Sequence, residues 1–255
     1  MTDWAFRLSE VSFSYKGVAA LSGISLTLPR GRRIALLGAN GSGKSTLLRL
    51  LDGLQFPEAG GIEALGAPLS ATALANEATA IAFRRRVGFV FQNPDVQLFC
   101  PSVFDELAFG PLQMHWPREQ IRASVARMLD EFGLTELAKR PPHRLSGGEK
   151  KRVALASVLI LEPEVLLLDE PTAALDPQAT DDIVTRLATG FGAQTADRTL
   201  IFSTHDLDVV ARIADHVVVL EAGRVAAEGP AASVLADTAL LRRTRLLPAQ
   251  ALPAG

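Results

Sequence analysis

The chain has 255 residues, 48% of them hydrophobic, a formal net charge of −2, a pI of about 6.1 and a mean hydropathy of +0.20. That is enough apolar material for one large domain carrying a subdomain, and the charge balance, without a long basic block, argues against nucleic acid as a partner. The longest apolar segment (residues 153–161) is too short to span a bilayer, Met1-Thr2-Asp3-Trp4 does not open a signal peptide, and the single cysteine, Cys100, precludes an internal disulfide, so a cytoplasmic protein is expected.

Phe6-Arg7-Leu8, Val11-Ser12-Phe13-Ser14-Tyr15 and Ile24-Ser25-Leu26-Thr27-Leu28 alternate as strands do, with turns at Lys16-Gly17 and Pro29-Arg30-Gly31. They predict a small antiparallel sheet beside the core. Tyr15, the only tyrosine, sits at a strand end, where its ring either stacks on a base or is simply packed. Arg33-Ile34-Ala35-Leu36-Leu37 then leads into Gly38-Ala39-Asn40-Gly41-Ser42-Gly43-Lys44-Ser45-Thr46, and Leu47-Leu48-Arg49-Leu50-Leu51 continues as a helix. Strand, glycine-rich turn and helix is the setting in which this pattern cradles phosphates. Glycines let backbone N–H groups converge, and the helix N-terminus adds partial positive charge. Lys44 supplies a full charge for the β and γ phosphates, and the Ser45 hydroxyl is placed to ligate Mg²⁺.

Pro57, Gly60-Gly61, Gly66 and Pro68 mark residues 57–82 as a loop-rich connection, and Arg84-Arg85-Arg86 reads as a solvated face. Val87-Gly88-Phe89-Val90-Phe91 is a strand halted by Gln92-Asn93-Pro94. At the mouth of a parallel strand, Gln92 can offer its oxygen to Mg²⁺ or hold water; it can equally stabilise the turn. Residues 98–150 predict an inserted helical subdomain. One helix is capped by Ser102, with Asp105 and Glu106 in its first turn; another covers 118–132, with Ile121, Val125, Met128 and Leu129 on one stripe. Leu98, Phe99, Phe104 and Trp116 are expected in its core rather than as a cofactor box, with an exposed groove as the alternative for some of them.

In Leu145-Ser146-Gly147-Gly148-Glu149, Ser146 and Glu149 have capping-box spacing ahead of an apolar helix. That bares a second helix N-terminus, a surplus anion site in a chain with one phosphate loop, unless it serves a nucleotide held by another subunit. Val165-Leu166-Leu167-Leu168 reads as a strand buried on both faces. It delivers Asp169, suited to a hydrated Mg²⁺, and Glu170, able to polarise an attacking water. Asp176 can cap a helix running to Leu187. A further strand, Thr199-Leu200-Ile201-Phe202-Ser203, brings His205 to the edge where an imidazole can meet the γ-phosphate, whereas His115, His143 and His216 read as structural or surface residues. Residues 216–226 form a hairpin, about 231–243 a last helix, and the end of the chain a mobile tail.

Taken together and in this order, the motifs resemble the ATP-binding-cassette (ABC) ATPases over about residues 4–243, with 244–255 left as the tail. The LSGGE segment is the diagnostic element, because the phosphate loop alone is shared by many NTPases. The resemblance implies an α/β fold: a phosphate-loop NTPase core with a mostly parallel sheet, an N-terminal antiparallel β subdomain and the inserted α-helical subdomain. It also implies a head-to-tail pair of subunits, most simply identical, around two ATP molecules. Residues 38–46 of one subunit, with Tyr15 on the base, face Leu145, Ser146, Gly147, Gly148 and Glu149 of the other, and Asp176 lies in the turn between them. Ser45, Gln92 and Asp169 hold Mg²⁺, Lys44 stabilises developing charge, Glu170 acts on the water and His205 holds the γ-phosphate.

A finer resemblance lies in residues 91–99 (FQNPDVQLF), 103–111 (VFDELAFGP), LSGGEKKRVAL and PTAALDP. These are similar to ATPases of energy-coupling-factor importers, and within that group to the cobalt/nickel type; a vitamin importer is the alternative, and a soluble non-transport ABC ATPase a more distant one. The implied partners are transmembrane coupling and substrate-binding subunits, docked at residues 92–99 and the adjacent helical face, with the chain peripheral on the cytoplasmic face of the membrane. No Cys/His cluster with ligand spacing occurs, so the transported ion is expected to be bound by another subunit.

Overall fold

The structure, a computed structural model, describes residues 3–190 and 198–248. The chain opens with β1 (Trp4–Tyr15) and β2 (Val18–Pro29), joined through Lys16 and Gly17, both at positive φ as a tight hairpin turn requires. Two long strands thus replace the three short ones expected. The apparent break is a bulge: Glu10 adopts φ 51°, its N–H donates to Ser25 Oγ, and pairing resumes on either side. Then follow β3 (Arg33–Leu37), α1 (Lys44–Leu51), β4 (Ala59–Ala64) and β5 (Ala67–Pro68). The first sheet has the order β2-β1-β4-β5 and is antiparallel throughout.

Residues 57–82, expected to be loop-rich, hold β4, β5 and the helices α2 (Ala71–Leu74) and the start of α3 (Glu77–Arg86). Cap signals prevail over glycine and proline here, with Ser70 accepting from Ala73 N and Asn76 from Thr79 N. The three arginines lie in the last turn of α3, where cations complement the carbonyl end; Arg86 is bound to Glu164 at 2.6 Å rather than merely solvated.

β6 (Val87–Val90), α4 (Val103–Gln113), α5 (Arg118–Glu131), α6 (Gly147–Leu159), β7 (Val165–Asp169), α7 (Pro177–Gly190), β8 (Thr199–Thr204), α8 (Leu207–Ile213), β9 (His216–Glu221) and β10 (Arg224–Pro230) complete the body. The second sheet runs β10-β9-β3-β8-β7-β6, parallel except for β10. Its central strands are apolar without alternation because both faces are covered. In β7, Val165 and Leu167 pack among α1 and the antiparallel sheet, while Leu166 and Leu168 pack among α4 to α8. Among the described residues no helix is long and apolar enough to cross a membrane.

Two further expectations are corrected. The last helix is two, α9 (Ala231–Ala236) and α10 (Thr238–Arg243), because Asp237 accepts from Leu240 N and so starts a new helix. The body does not end at 243, since the Thr244 hydroxyl is buried and donates to the Leu240 carbonyl at 2.9 Å, and Leu246 packs on the core; the tail beyond 248 lies outside the described residues. In the helical subdomain Leu98 and Trp116 pack inward, but Phe99 is 66% exposed and Phe104 37%. Ser102 caps α4 as expected, so the register that buries Val103 and Leu107 turns Phe104 outward.

Candidate nucleotide and hydrolysis site

β3 ends at Leu37 and α1 starts at Lys44; the loop between them depends on glycine for space as well as conformation. Gly43 is the N-cap of α1 at φ 107°, and a Cβ there would stand 2.8 Å from the Ala20 carbonyl. No side chain caps this helix, so its first N–H groups face the cleft. At Gly38 a Cβ would collide with the Leu220 carbonyl and Ser42 Oγ. Lys44, only 5% exposed, donates to the carbonyls of Gly38 (2.8 Å) and Ala39 (3.3 Å) and lies 3.7 Å from Glu170 Oε1.

β7 and β8 end side by side, Asp169 opposite Ser203. Asp169 Oδ1 accepts from Ser45 Oγ at 2.9 Å and Ser203 Oγ at 2.7 Å, and Ser203 Oγ in turn accepts from Glu170 N. Glu170 is buried at φ 47°, a left-handed conformation that costs a non-glycine residue about 1–3 kcal/mol. Both its carboxylate oxygens lie 3.2 Å from Nδ1 of His205, whose ring is otherwise largely exposed.

Tyr15, Asn40, Gly41, residues 43–46, Gln92 and Glu170 line one cleft of about 510 Å³, while Ala39 and Ser42 line a separate pocket with Leu220. Tyr15 is oriented by three neighbours: its hydroxyl donates to Gln55 Oε1 at 2.8 Å, Arg49 reaches it at 3.4 Å, and Phe13 meets its ring edge-on. The LSGGE residues are elsewhere. Ser146, Gly147, Gly148 and Glu149 border a separate cleft of about 540 Å³ with Asp176, while Leu145 is buried beneath them. The capping box is fully formed: Ser146 N donates to Glu149 Oε2 at 2.7 Å, and Glu149 N to Ser146 Oγ at 3.3 Å. The first of these bonds, opposed by burial, holds the Glu149 carboxyl below the usual range. Asp176 Oδ1 caps α7 through Ala179 N.

Three residues of this region escape the sequence reading. Lys151, given no role of its own there, is buried and donates to the carbonyls of Gln92 (2.5 Å) and Glu170 (3.2 Å). Burial pulls its pKa down to about 8 against the opposing pull of Asp169 and Glu170. Gln97 accepts from Phe91 N and donates to the Ala154 carbonyl, tying the loop after β6 to α6. Glu106 accepts from Phe99 N and Cys100 N. The helical spacing of Lys151 with Leu155 would have shown the first on a buried face; the other two bridge segments with no pattern in common.

A family model described as ABC transporter matches residues 21–173. The chain belongs to the ABC transporter family. It is 78% identical over 244 residues to the nickel import ATP-binding protein NikO of Rhodobacter capsulatus, covering 96% of each chain. Among solved structures it is similar to cbiO1 from Clostridium perfringens, described as part of the ABC transporter complex cbiONQ (38% identity, 97% and 96% of the chains, TM-score 0.80). It is also similar to the ATP-binding cassette MJ0796, a dimeric post-hydrolysis state bound to ADP and Pi (26% identity, 89% and 98%, TM-score 0.79). As an ABC ATPase the chain hydrolyses ATP, and both sheets and the inserted helices match the family's fold.

Proposed function

We propose that this chain drives uptake of nickel through separate membrane subunits, as the ATP-hydrolysing subunit of an energy-coupling-factor importer seated on the cytoplasmic face of the membrane. The sequence left cobalt and nickel open. The observation that favours nickel is the 78% identity with NikO along nearly the whole of both chains, against 45% with the cobalt import ATP-binding protein CbiO of the same organism. Uptake of radioactive nickel by cells carrying the chain with its membrane subunits tests this. Uptake should vanish when the chain is deleted; cobalt or a vitamin accumulating in nickel's place would overturn the cargo.

The two separate clefts support a head-to-tail homodimer. Each chain offers a phosphate loop in one place and the Ser146-capped, glycine-lined start of α6 in another, and neither alone encloses a nucleotide. ATP contacting both halves favours the closed pair, and loss of the γ-phosphate removes that preference, which is how hydrolysis can move a membrane partner. The oxygen donors Ser45 Oγ and Asp169 Oδ1, 2.9 Å apart beside Gln92, fit Mg²⁺. Mg²⁺ bound there would offset the charge of the phosphate oxygens. Lys44 exchanges its loop carbonyls and Glu170 for the β and γ phosphates, Glu170 then accepts a proton from the attacking water, and His205 turns to the γ-phosphate.

The exposed Val96, Phe99, Phe104, Phe109 and Leu112 form an apolar surface from the loop after Gln92 onto α4, stiffened by the edge-on Phe99–Phe109 pair. That surface docks the cytoplasmic helices of the membrane subunits.

A further inference from the structure

Among the described residues only two lysines are buried, Lys44 and Lys151. The phosphate loop accounts for the first. Lys151 stands one turn into α6, the helix capped by Ser146, and its ammonium reaches two carbonyls on different segments, Gln92 and Glu170. A buried ammonium needs charge partners, and Asp169 and Glu170 are the acids whose fields act on it. Glu170 in turn needs external restraint, because its backbone conformation is strained. Ser203 holds its N–H side, and on its carbonyl side Lys151 joins the local turn bond from Ala173 N as the one donor that comes from α6. Other ties run from α6 to the loop after β6, Lys150 to Asp95 at 2.6 Å and Gln97 to Ala154, but they stop at that loop; Lys151 continues to Glu170.

We propose that Lys151 is a positioning residue that carries the placement of α6 against the partner subunit's nucleotide to the backbone of Glu170 and Gln92, so that hydrolysis in one cleft depends on docking at the other. This rests on the paired clefts and on Glu170 as the group acting on water. A shift of α6 moves one of the two donors on the Glu170 carbonyl, leaving the turn bond from Ala173 N, and the carboxylate moves with its backbone. The Gln92 carbonyl shares the donor, so the loop next to the membrane-docking surface shifts in the same step.

The test uses the full-length protein with Mg-ATP and the substitutions Lys151→Met, which keeps length and removes the donor, and Lys151→Gln, which keeps a donor. A positioning role predicts that Lys151→Met leaves KM and the affinity for a fluorescent ATP analogue within about twofold while kcat falls about tenfold or more, and that Lys151→Gln recovers most of the lost rate. The proposal is overturned if Lys151→Met turns over at the parental rate, if affinity and kcat fall together in both variants, or if Lys151→Gln recovers nothing. Glu170→Gln assayed in parallel separates the two readings. Parental turnover in that variant refutes the role of Glu170, whereas its inactivity beside a fully active Lys151→Met refutes only the role of Lys151.

Discussion

At the scale of single residues, the centre of the site is a chain of mutual restraints. Ser45 and Ser203 both donate to one oxygen of Asp169, Ser203 also receives the N–H of Glu170, and the Glu170 carboxylate sits between Lys44 and His205. Removing the carboxylate while keeping its shape should therefore separate binding from chemistry. Glu170→Gln is expected to bind ATP and lose turnover by about two to four orders of magnitude, the worth of a positioned acid–base group. Size-exclusion chromatography with ATP should show it as a trapped dimer, and a monomer still hydrolysing at the parental rate would contradict the assignment. The convergence of Lys44, Ser45, Asp169 and Glu170 on one place was legible in the sequence because each stands at a strand or helix end flagged by an unmistakable apolar run. The partners of Lys151 and Gln97 were not, since they lie 59 and 57 residues away; spacing with Leu155 marks Lys151 as buried, but no local pattern names what it meets.

At the scale of elements, α1 has two very different ends. Its N-terminus is left open toward the phosphates, whereas its C-cap is Asp52, a carboxylate at the negative end of the helix. Burial raises the Asp52 pKa to about 7, against the attraction of Arg84. The folded chain thus holds that proton more tightly than the unfolded chain does between the ordinary carboxylate range and about pH 7. Stability from this group is present below that range and is lost as pH rises toward about 7. Asp52→Asn should raise the melting temperature more at pH 8 than at pH 5; an equal shift at both values would contradict this. The loop after β6 and α4 form the second telling element. Phe99→Asp is expected to abolish nickel uptake while turnover of the isolated ATPase stays within about twofold, because the ring faces outward and touches no residue of the cleft. Normal uptake would rule out this docking surface. Helical periodicity placed α4 and α5 correctly but did not decide which of Leu98, Phe99, Phe104 and Trp116 turn outward: a stripe of apolar residues too wide for one core reads the same whether its margin is buried or reserved for another protein.

At the scale of the whole molecule, the antiparallel sheet, the parallel core and the inserted helices were foreseeable from runs, alternation and caps. The region 57–82 was not, because glycines and prolines that read as loop mark turns between short elements, and Asp237 hides a second helix start inside one apolar pattern. The distance between the two clefts makes the most direct test of assembly. Mixing a Lys44→Ala chain with a Ser146→Arg chain, each inactive alone, places both defects in one composite site and leaves the other whole. Random pairing should then restore about a quarter of the parental ATPase rate, as expected for an isologous two-fold dimer. Silence on mixing would mean that each cleft works alone.

Lys44 is engaged on three sides: its ammonium donates to the carbonyls of Gly38 and Ala39 and lies close to the Glu170 carboxylate. An incoming anion must compete for the lysine before it can keep it. Binding at this loop therefore exchanges contacts that Lys44 already makes rather than adding a charge with no other use.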